Sequence, residues 1–290
     1  MAIIRHEFEK SEGLHKEMHL HDTVEKPPEI DHFSNIEEFL ASWSHKMHRS
    51  ELESVCDLFK PSSHILDIGA GMGNTSLYFA SRGHTVTVVE PSYSLCTAID
   101  RLATRFNLAI TVHQCSMEQF TSEETFDICL FNASFHHCDE PFKALQNCNS
   151  VLRPGGLLYL VNEQVLKFYR SKKWYEKVRE TSPEKVCDYG GNEHMYRIHE
   201  YRSMIRKTGF RVVNEKVPEY YFHPKNMITT SIQINDDFTK GTGKEVYSDL
   251  NILIRFIFYM TLKRLVTIPM TCFFLKKLSL IGITFIAEKK

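Results

Sequence analysis

Three glycines and two carboxylates stand at spacings that could hold a polar, hydroxyl-bearing ligand. Gly69, Gly71 and Gly73 occupy alternate positions after the apolar run Ile65-Leu66-Asp67-Ile68, with Ala70 between the first two. Such a loop carries almost no side chains where the backbone bends from strand into helix. The amides at the helix start then point at whatever lies over the strand end, which suits an anion or a carboxylate. Asp67 sits inside the strand, two residues before the first glycine. Glu90 closes the next apolar run, 17 positions after Gly73, and Pro91 turns the chain away. A carboxylate there can accept hydrogen bonds from both hydroxyls of a ribose. Each feature also has a plainer reading: a tight turn for the glycines, a structural hydrogen bond for Asp67, a solvated strand end for Glu90. A second cluster, Asn132-Ala133-Ser134-Phe135-His136-His137-Cys138-Asp139, carries two imidazoles able to take a proton near neutral pH. One of them is equally suited to packing or to capping the next helix. No metal is assigned to His136, His137 and Cys138, because adjacent residues rarely point to one centre.

These residues need a scaffold that brings strand ends together, and the hydrophobic pattern supplies one. His64–Ile68, Thr85–Val89, Ile110–His113, Phe126–Phe131 and Leu157–Val161 read as strands. Helical patterns run over Asn74–Arg82, Ser94–Arg105 and from Ala144 to Leu152, with Gly83 as a C-cap and Arg153-Pro154-Gly155-Gly156 as a turn. Strands separated by such helices imply a parallel sheet with right-handed crossovers. Ligands of open α/β sheets bind outside the carboxyl ends of the strands. Upstream, Ser34-Asn35-Ile36-Glu37 fits a capping box, and Ile36, Phe39, Leu40 and Trp43 follow at helical spacing. Another helical pattern covers about Glu51 to Phe59. Downstream, a helix at about Glu200–Lys207 leads to the strands Phe210–Val213 and Gly282–Ala287.

Composition narrows the function. The 290 residues are 42% hydrophobic, enough for one large core. Lys and Arg number 35 against 36 Asp and Glu, for a formal charge of −1, which argues against a nucleic-acid backbone as main partner. Eight cysteines form no Cys-x-x-Cys pair and suit reduced thiols in a cytoplasmic protein. The N-terminus lacks the apolar stretch of a signal peptide, and no uncharged run is long enough to span a bilayer.

Taken in order, these motifs resemble the class I S-adenosylmethionine-dependent methyltransferases, in particular their "methyltransferase type 11" small-molecule group. The strand-one signature is matched by Ile65–Gly73, the acid ending strand two by Glu90, the Phe-Asp of strand four by Phe126-Asp127, and the Leu-x-Pro-Gly-Gly turn by Leu152–Gly156. The likeness covers residues 64–161, about a third of the chain. It implies a Rossmann-like, doubly wound, mostly parallel seven-stranded sheet with the last strand antiparallel. It implies S-adenosyl-L-methionine as cofactor, with the methionine part on Gly69, Ala70, Gly71 and Gly73, Asp67 orienting the loop, and Glu90 on the ribose. The adenine of such enzymes usually meets a polar residue after strand three. Where an Asp is common, this chain has Gln114-Cys115-Ser116-Met117-Glu118, so Ser116 or the amide of Met117 takes that place. The segment opened by Asn132 faces the methyl group, which counts Asn132 with the cofactor residues and His136 or His137 as candidates for a general base. Sulfonium methyl transfer needs alignment, and a base only where the acceptor must lose a proton.

The resulting organisation is a flexible arm or lid at 1–33, N-terminal helices at 34–60, the cofactor core at 61–162, an insertion or acceptor lid at 163–198, and the rest of the sheet with apolar, basic helices at 199–290. Within the insertion, Trp174 and Tyr175 read as packing residues and Gly190-Gly191 as a turn. Leu250 to Ala287 holds no acidic residue but five basic ones among many aromatics and aliphatics. It reads either as a buried helix pair closing the acceptor pocket or as an in-plane segment, 250–278, that docks on anionic lipid. The expected partner is a small organic or lipid-linked acceptor, with O- and C-methylation both open. Competing functions are a cofactor-binding module without turnover and an NAD(P)-dependent reductase.

Overall fold

The computed structural model describes residues 3–23, 33–42, 52, 53, 55, 59–167, 170–183, 192–216 and 282–290. Eight strands form one sheet: β1 (Ile4–Arg5), β2 (His64–Ile68), β3 (Thr85–Glu90), β4 (Ile110–Gln114), β5 (Phe126–Asn132), β6 (Leu152–Glu163), β7 (Phe210–Lys216) and β8 (Ile283–Lys289). The helices are α1 (Glu12–Thr23), α2 (Ile36–Ser42), α3 (Asn74–Ser81), α4 (Tyr93–Arg105), α5 (Pro141–Val151), α6 (Lys172–Thr181) and α7 (Ile198–Lys207). The strand order is β1-β4-β3-β2-β5-β6-β8-β7. Every pair from β1 to β6 is parallel, and β8 runs antiparallel to both β6 and β7. The expected seven strands are therefore β2 to β8, with the last one reversed. The short β1 adds an edge beside β4, in a stretch the sequence pattern left within the arm.

Alternate residues of the central strands enter two different cores. Leu66, Phe131 and Leu160 pack on one face of the sheet; their neighbours Ile65, Leu130 and Tyr159 pack on the other. A strand buried on both faces reads as a continuous apolar run, which is why these segments look so hydrophobic in sequence. Reversal of the strand order at β2, with β3 on one side and β5 on the other, opens a crevice at the carboxyl ends.

Two local expectations are corrected. Residues 153–156 are not a turn before a separate strand. β6 starts at Leu152, opposite Phe126, and the next pair is Leu157 with Ile128, so the intervening residues bulge out of a continuing ladder. The capping box of α2 is also shifted by one residue. Asn35 Oδ1 accepts from the Glu38 amide at 2.9 Å, and Glu38 Oε2 accepts from the Ser34 amide at 2.7 Å. Asn competes well with Ser for the capping position, so local sequence alone left the choice open. Trp43, Gly190-Gly191 and the segment 250–278 lie outside the described residues. Trp174 and Tyr175 begin α6, where Tyr175 is buried and donates from its hydroxyl to the Glu193 carbonyl at 2.9 Å.

Candidate cofactor and active site

The glycine loop follows β2 directly. Gly69, Gly71 and Gly73 all have positive φ, at 66°, 55° and 79°. Their surroundings differ. A Cβ on Gly69 would stand 2.7 Å from Cβ of Ser134, and one on Gly73 would stand 2.6 Å from Cγ1 of Ile99. A Cβ on Gly71 would meet nothing within 4 Å. The outer two glycines are thus required by packing, whereas Gly71 presents bare backbone to open space. A Gly71→Ala variant is expected to lose only about 1–2 kcal/mol of stability, the cost of a left-handed backbone for an L-residue. Thermal unfolding checks this, and a loss above about 4 kcal/mol would mean that Gly71 is packed rather than open.

Glu90 ends β3 beside that loop and is buried. Its Oε2 accepts from the Gly71 amide at 3.0 Å and its Oε1 from the Ser92 amide at 2.9 Å. An ionised carboxylate offers about four acceptor positions, so capacity remains for two further donors. Burial pushes the carboxyl up to about 7, against the pull of the two amides. This is a group held near its midpoint at neutral pH, and hydroxyl donors arriving at it would favour its charge.

Asp67 has a different setting. It is 1% exposed and accepts from the Ser76 hydroxyl at 2.5 Å, which ties β2 to α3. Burial raises its carboxyl to about 7 as well. Ala70 lies in the loop, and its carbonyl accepts from the Gly73 amide at 2.9 Å. Ser116 and Met117 follow β4 and are both buried. The carbonyl of Ser116 accepts from Gln119, and that of Met117 from the side chain of Asn147. Asn132 closes β5, donating to Thr75 Oγ1 at 3.0 Å and accepting from the Asn162 amide group at 2.8 Å. It thus joins the first turn of α3 to the end of β6.

The two histidines part company. They lie in a single 3-10 turn, Phe135–His137, after β5. His136 is 1% exposed and its Nδ1 is 2.8 Å from Glu163, itself fully buried at the end of β6. The carboxylate also accepts from the backbone amides of Ser134, Phe135 and His136, at 3.3, 3.0 and 3.1 Å. Glu163 therefore organises the whole turn, and His136 belongs to its interior. Ser134 adds a bond from its hydroxyl to the Ile68 carbonyl at 2.6 Å, locking this turn against the glycine loop. His137 is more open, with its side chain 17% exposed, and its Nδ1 lies 2.9 Å from Oε1 of Glu17 on α1.

Glu163, Glu17, Ser76, Ser92 and Asn162 were not singled out from the sequence. Glu163 left one signal: an acid directly after an apolar run that ends among the ligand-binding strand ends. Glu17 left none, because a Glu in a polar, His-rich stretch looks like any solvated helix residue.

Geometry and family agree. Residues 66–160 match the model of the family described as "Methyltransferase domain". A mostly parallel sheet with a reversed last strand, a glycine loop at the switch point and an acid ending the neighbouring strand is the arrangement of the class I S-adenosylmethionine-dependent methyltransferase fold, and residues 66–160 carry that methyltransferase domain. Its cofactor is S-adenosyl-L-methionine. Among relatives, it is 26% identical over 179 residues to the ubiquinone biosynthesis O-methyltransferase of Coxiella burnetii, spanning 60% of this chain and 74% of that one. Over 101 residues it is 32% identical to the tRNA 5-carboxymethoxyuridine methyltransferase of Escherichia coli, covering 33% of this chain and 39% of the relative. In fold it resembles phosphoethanolamine N-methyltransferase 2 of Haemonchus contortus, solved with S-adenosylhomocysteine, at a TM-score of 0.53 and 17% identity over 85% of this chain and 53% of that one. The matched family model is one of methyltransferases and gives the nicotinamide reductase no support. No helix among the described residues is long and apolar enough to cross a membrane.

Proposed function

We propose that this enzyme methylates a hydroxyl of a small organic acceptor, with the cofactor held by the Gly69–Gly73 loop and Glu90 and with His137 receiving the acceptor's proton. The observation that carries the cofactor assignment is the pairing of bare backbone at Gly71 with a buried, two-amide-bound Glu90 at the next strand end. Bound S-adenosylmethionine would supply an activated sulfonium methyl for displacement by the acceptor oxygen, with S-adenosylhomocysteine as the leaving thioether. The residues do the rest. Glu90 offers its free acceptor positions to ribose hydroxyls. Asp67 holds the loop to α3 through Ser76. Asn132 fixes the end of β5 against Thr75, and Ser116 with Met117 stands where β4 ends, next to the Glu90 strand. Of the two histidines, His136 serves the turn, which leaves His137 for proton transfer. O-methylation is favoured because a hydroxyl must lose its proton, and a partly exposed imidazole is suited to take it. The named activity of the Coxiella relative supports the same choice.

In this reading residues 61–162 form the cofactor core, and 163–198 with the N-terminal segment cover the acceptor. Calorimetric titration of the purified chain with S-adenosylhomocysteine, beside NAD, tests it. Micromolar binding of the first and none of the second is expected. Absence of binding by folded protein would overturn the cofactor assignment, and binding without methyl transfer to any hydroxylated acceptor in a broad screen would favour the module without turnover. Liposome sedimentation with and without residues 250–278 tests the peripheral lipid contact, which would point to a lipid-linked acceptor.

A further inference from the structure

The N-terminal helix α1 carries chemistry that its sequence does not advertise. Ser11 caps it, its hydroxyl accepting from the Leu14 amide at 3.0 Å. Leu14, Glu17, Met18 and His21 recur at helical spacing, and Leu14 and Met18 are buried. The acid and the imidazole therefore share the face that α1 turns to the protein. Glu17 is only 13% exposed, with Oε1 2.9 Å from His137 Nδ1 and 3.9 Å from His21 Nε2. Its Oε2 accepts from Asn192 at 2.6 Å, and the same Asn192 amide group donates to the His137 carbonyl at 3.1 Å. Three segments remote in sequence thus close around one imidazole.

One turn further along, α1 makes a second attachment. Asp22 Oδ1 accepts from the Ser92 hydroxyl at 2.8 Å and from the Ser94 amide at 3.3 Å. Ser92 is the residue whose own amide binds Glu90. A single helix is therefore joined at Glu17 to the histidine after β5 and at Asp22 to the shoulder of the acid ending β3.

We infer that Glu17 is the positioning carboxylate of His137, and that α1 assembles the proton-accepting imidazole only when it is seated over the cofactor acid. The inference rests on the function proposed above and extends it to regulation of the same site. A carboxylate this close to Nδ1 favours the proton on that nitrogen electrostatically and leaves Nε2 as the basic one; it also stabilises the imidazolium formed when Nε2 takes the acceptor's hydroxyl proton. The charged and titratable groups facing His137 are Glu17 from α1, Glu193 from the segment after α6, and Glu163 with His136 from β6 and the turn, while His21 of α1 meets Glu17. Burial opposes charge on both partners, yet the contact wins. Glu17 is held down at about 2, and His137 is raised above its ordinary value. By linkage, the Glu17 contribution to seating α1 is present above pH 4.5 and lost toward pH 2. That of His137 is present below pH 6.5 and lost as pH rises through its raised value.

The test is nitrogen-15 NMR of the histidine side chains in the full chain, with the His137 signal assigned by its disappearance in His137→Gln. The expected result is a neutral His137 protonated on Nδ1 in the wild type, with a titration midpoint that moves to lower pH in Glu17→Gln and is restored in part by Glu17→Asp. A second variant touches neither charge. A Cβ on Gly13 would stand 2.5 Å from Oδ1 of Asn192, so Gly13→Leu should lift α1 and reproduce the same shift. An unchanged midpoint and tautomer in Glu17→Gln and Gly13→Leu would overturn the inference. S-adenosylhomocysteine titrations of the same samples keep the two proposals apart. Loss of binding in the wild type sinks the cofactor assignment alone, whereas retained binding with an immobile His137 titration sinks only the role of Glu17.

Discussion

Replacing Glu163 by leucine is expected to lower unfolding stability by about 3–5 kcal/mol, the range for removing one partner from a buried charged or hydrogen-bonded network. The substitution is apolar and close in size, so little packing is lost. What is lost is the acceptor for four donors of the turn after β5: three backbone amides and the Nδ1 of His136 point at that carboxylate. The donors of Phe135 and His136 are buried and that of Ser134 half-buried, and each abandoned buried donor costs about 1–3 kcal/mol when water cannot replace the acceptor. The sum is capped because the turn can relax toward solvent once released. Thermal unfolding should show a fall of roughly 10 °C for a domain of this size. Glu163→Gln, which keeps one acceptor oxygen, should lose about half as much. A loss under about 1 kcal/mol in the leucine variant would show that the turn is held elsewhere, through Ser134 and Ile68.

The second large effect concerns Glu90. Glu90→Ala is expected to weaken S-adenosylhomocysteine binding about 10- to 100-fold, since it removes the hydroxyl acceptor and leaves the Gly71 and Ser92 amides without their partner. A subtler variant separates the roles. Burial raises the Glu90 carboxyl to about 7 in the free protein, against 4.5 for an ordinary Glu. The folded state thus retains a proton that the unfolded state has released between those two values. Ionised Glu90 destabilises the ligand-free fold above pH 7, and the penalty is relieved as pH falls toward 4.5. Glu90→Gln should therefore leave the free enzyme as stable as wild type or more so at pH 8, while still binding the ligand more weakly. Hydroxyl donors favour the carboxylate. Binding near pH 7 should release a fraction of a proton in wild type and none from this group in Glu90→Gln, read from calorimetry in two buffers of different ionisation heat. Affinities within about threefold of each other, with equal proton release, would remove Glu90 from the ligand.

Much of this was legible from short-range pattern. Strands β2, β3, β5 and β6 declare themselves because their residues enter both cores, and such strands are mostly apolar, whereas β4 alternates buried Ile110 and Val112 with half-buried Thr111 and His113. The loop glycines show because positive φ is cheap for glycine alone, and Glu90 shows because an acid ending an apolar strand next to such a loop is rarely incidental. The bulge at 153–156 was misread for a reason of the same kind. Pro-Gly-Gly marks a break in the ladder equally well whether the strand stops or resumes, and only the register against β5 distinguishes the two. The histidine pair posed a harder problem. Adjacent in sequence, His136 and His137 are equivalent to any local rule, and the geometry that separates them comes from Glu163, 27 positions away from His136, and from Glu17, far upstream on another helix.

By itself, then, the sequence determined the class of enzyme, the run of the sheet and the residues that shape the glycine loop. These follow from backbone conformation and burial, which are written within a few residues of each position. The tertiary structure alone decided which imidazole is fully buried against Glu163 and which is partly exposed beside Glu17. It also decided that α1 meets both His137 and, through Asp22, the Ser92 that binds Glu90. Such pairings depend on side chains meeting across the carboxyl edge of the sheet, and the distance between them along the chain carries no record of the 2.9 Å between Glu17 and His137.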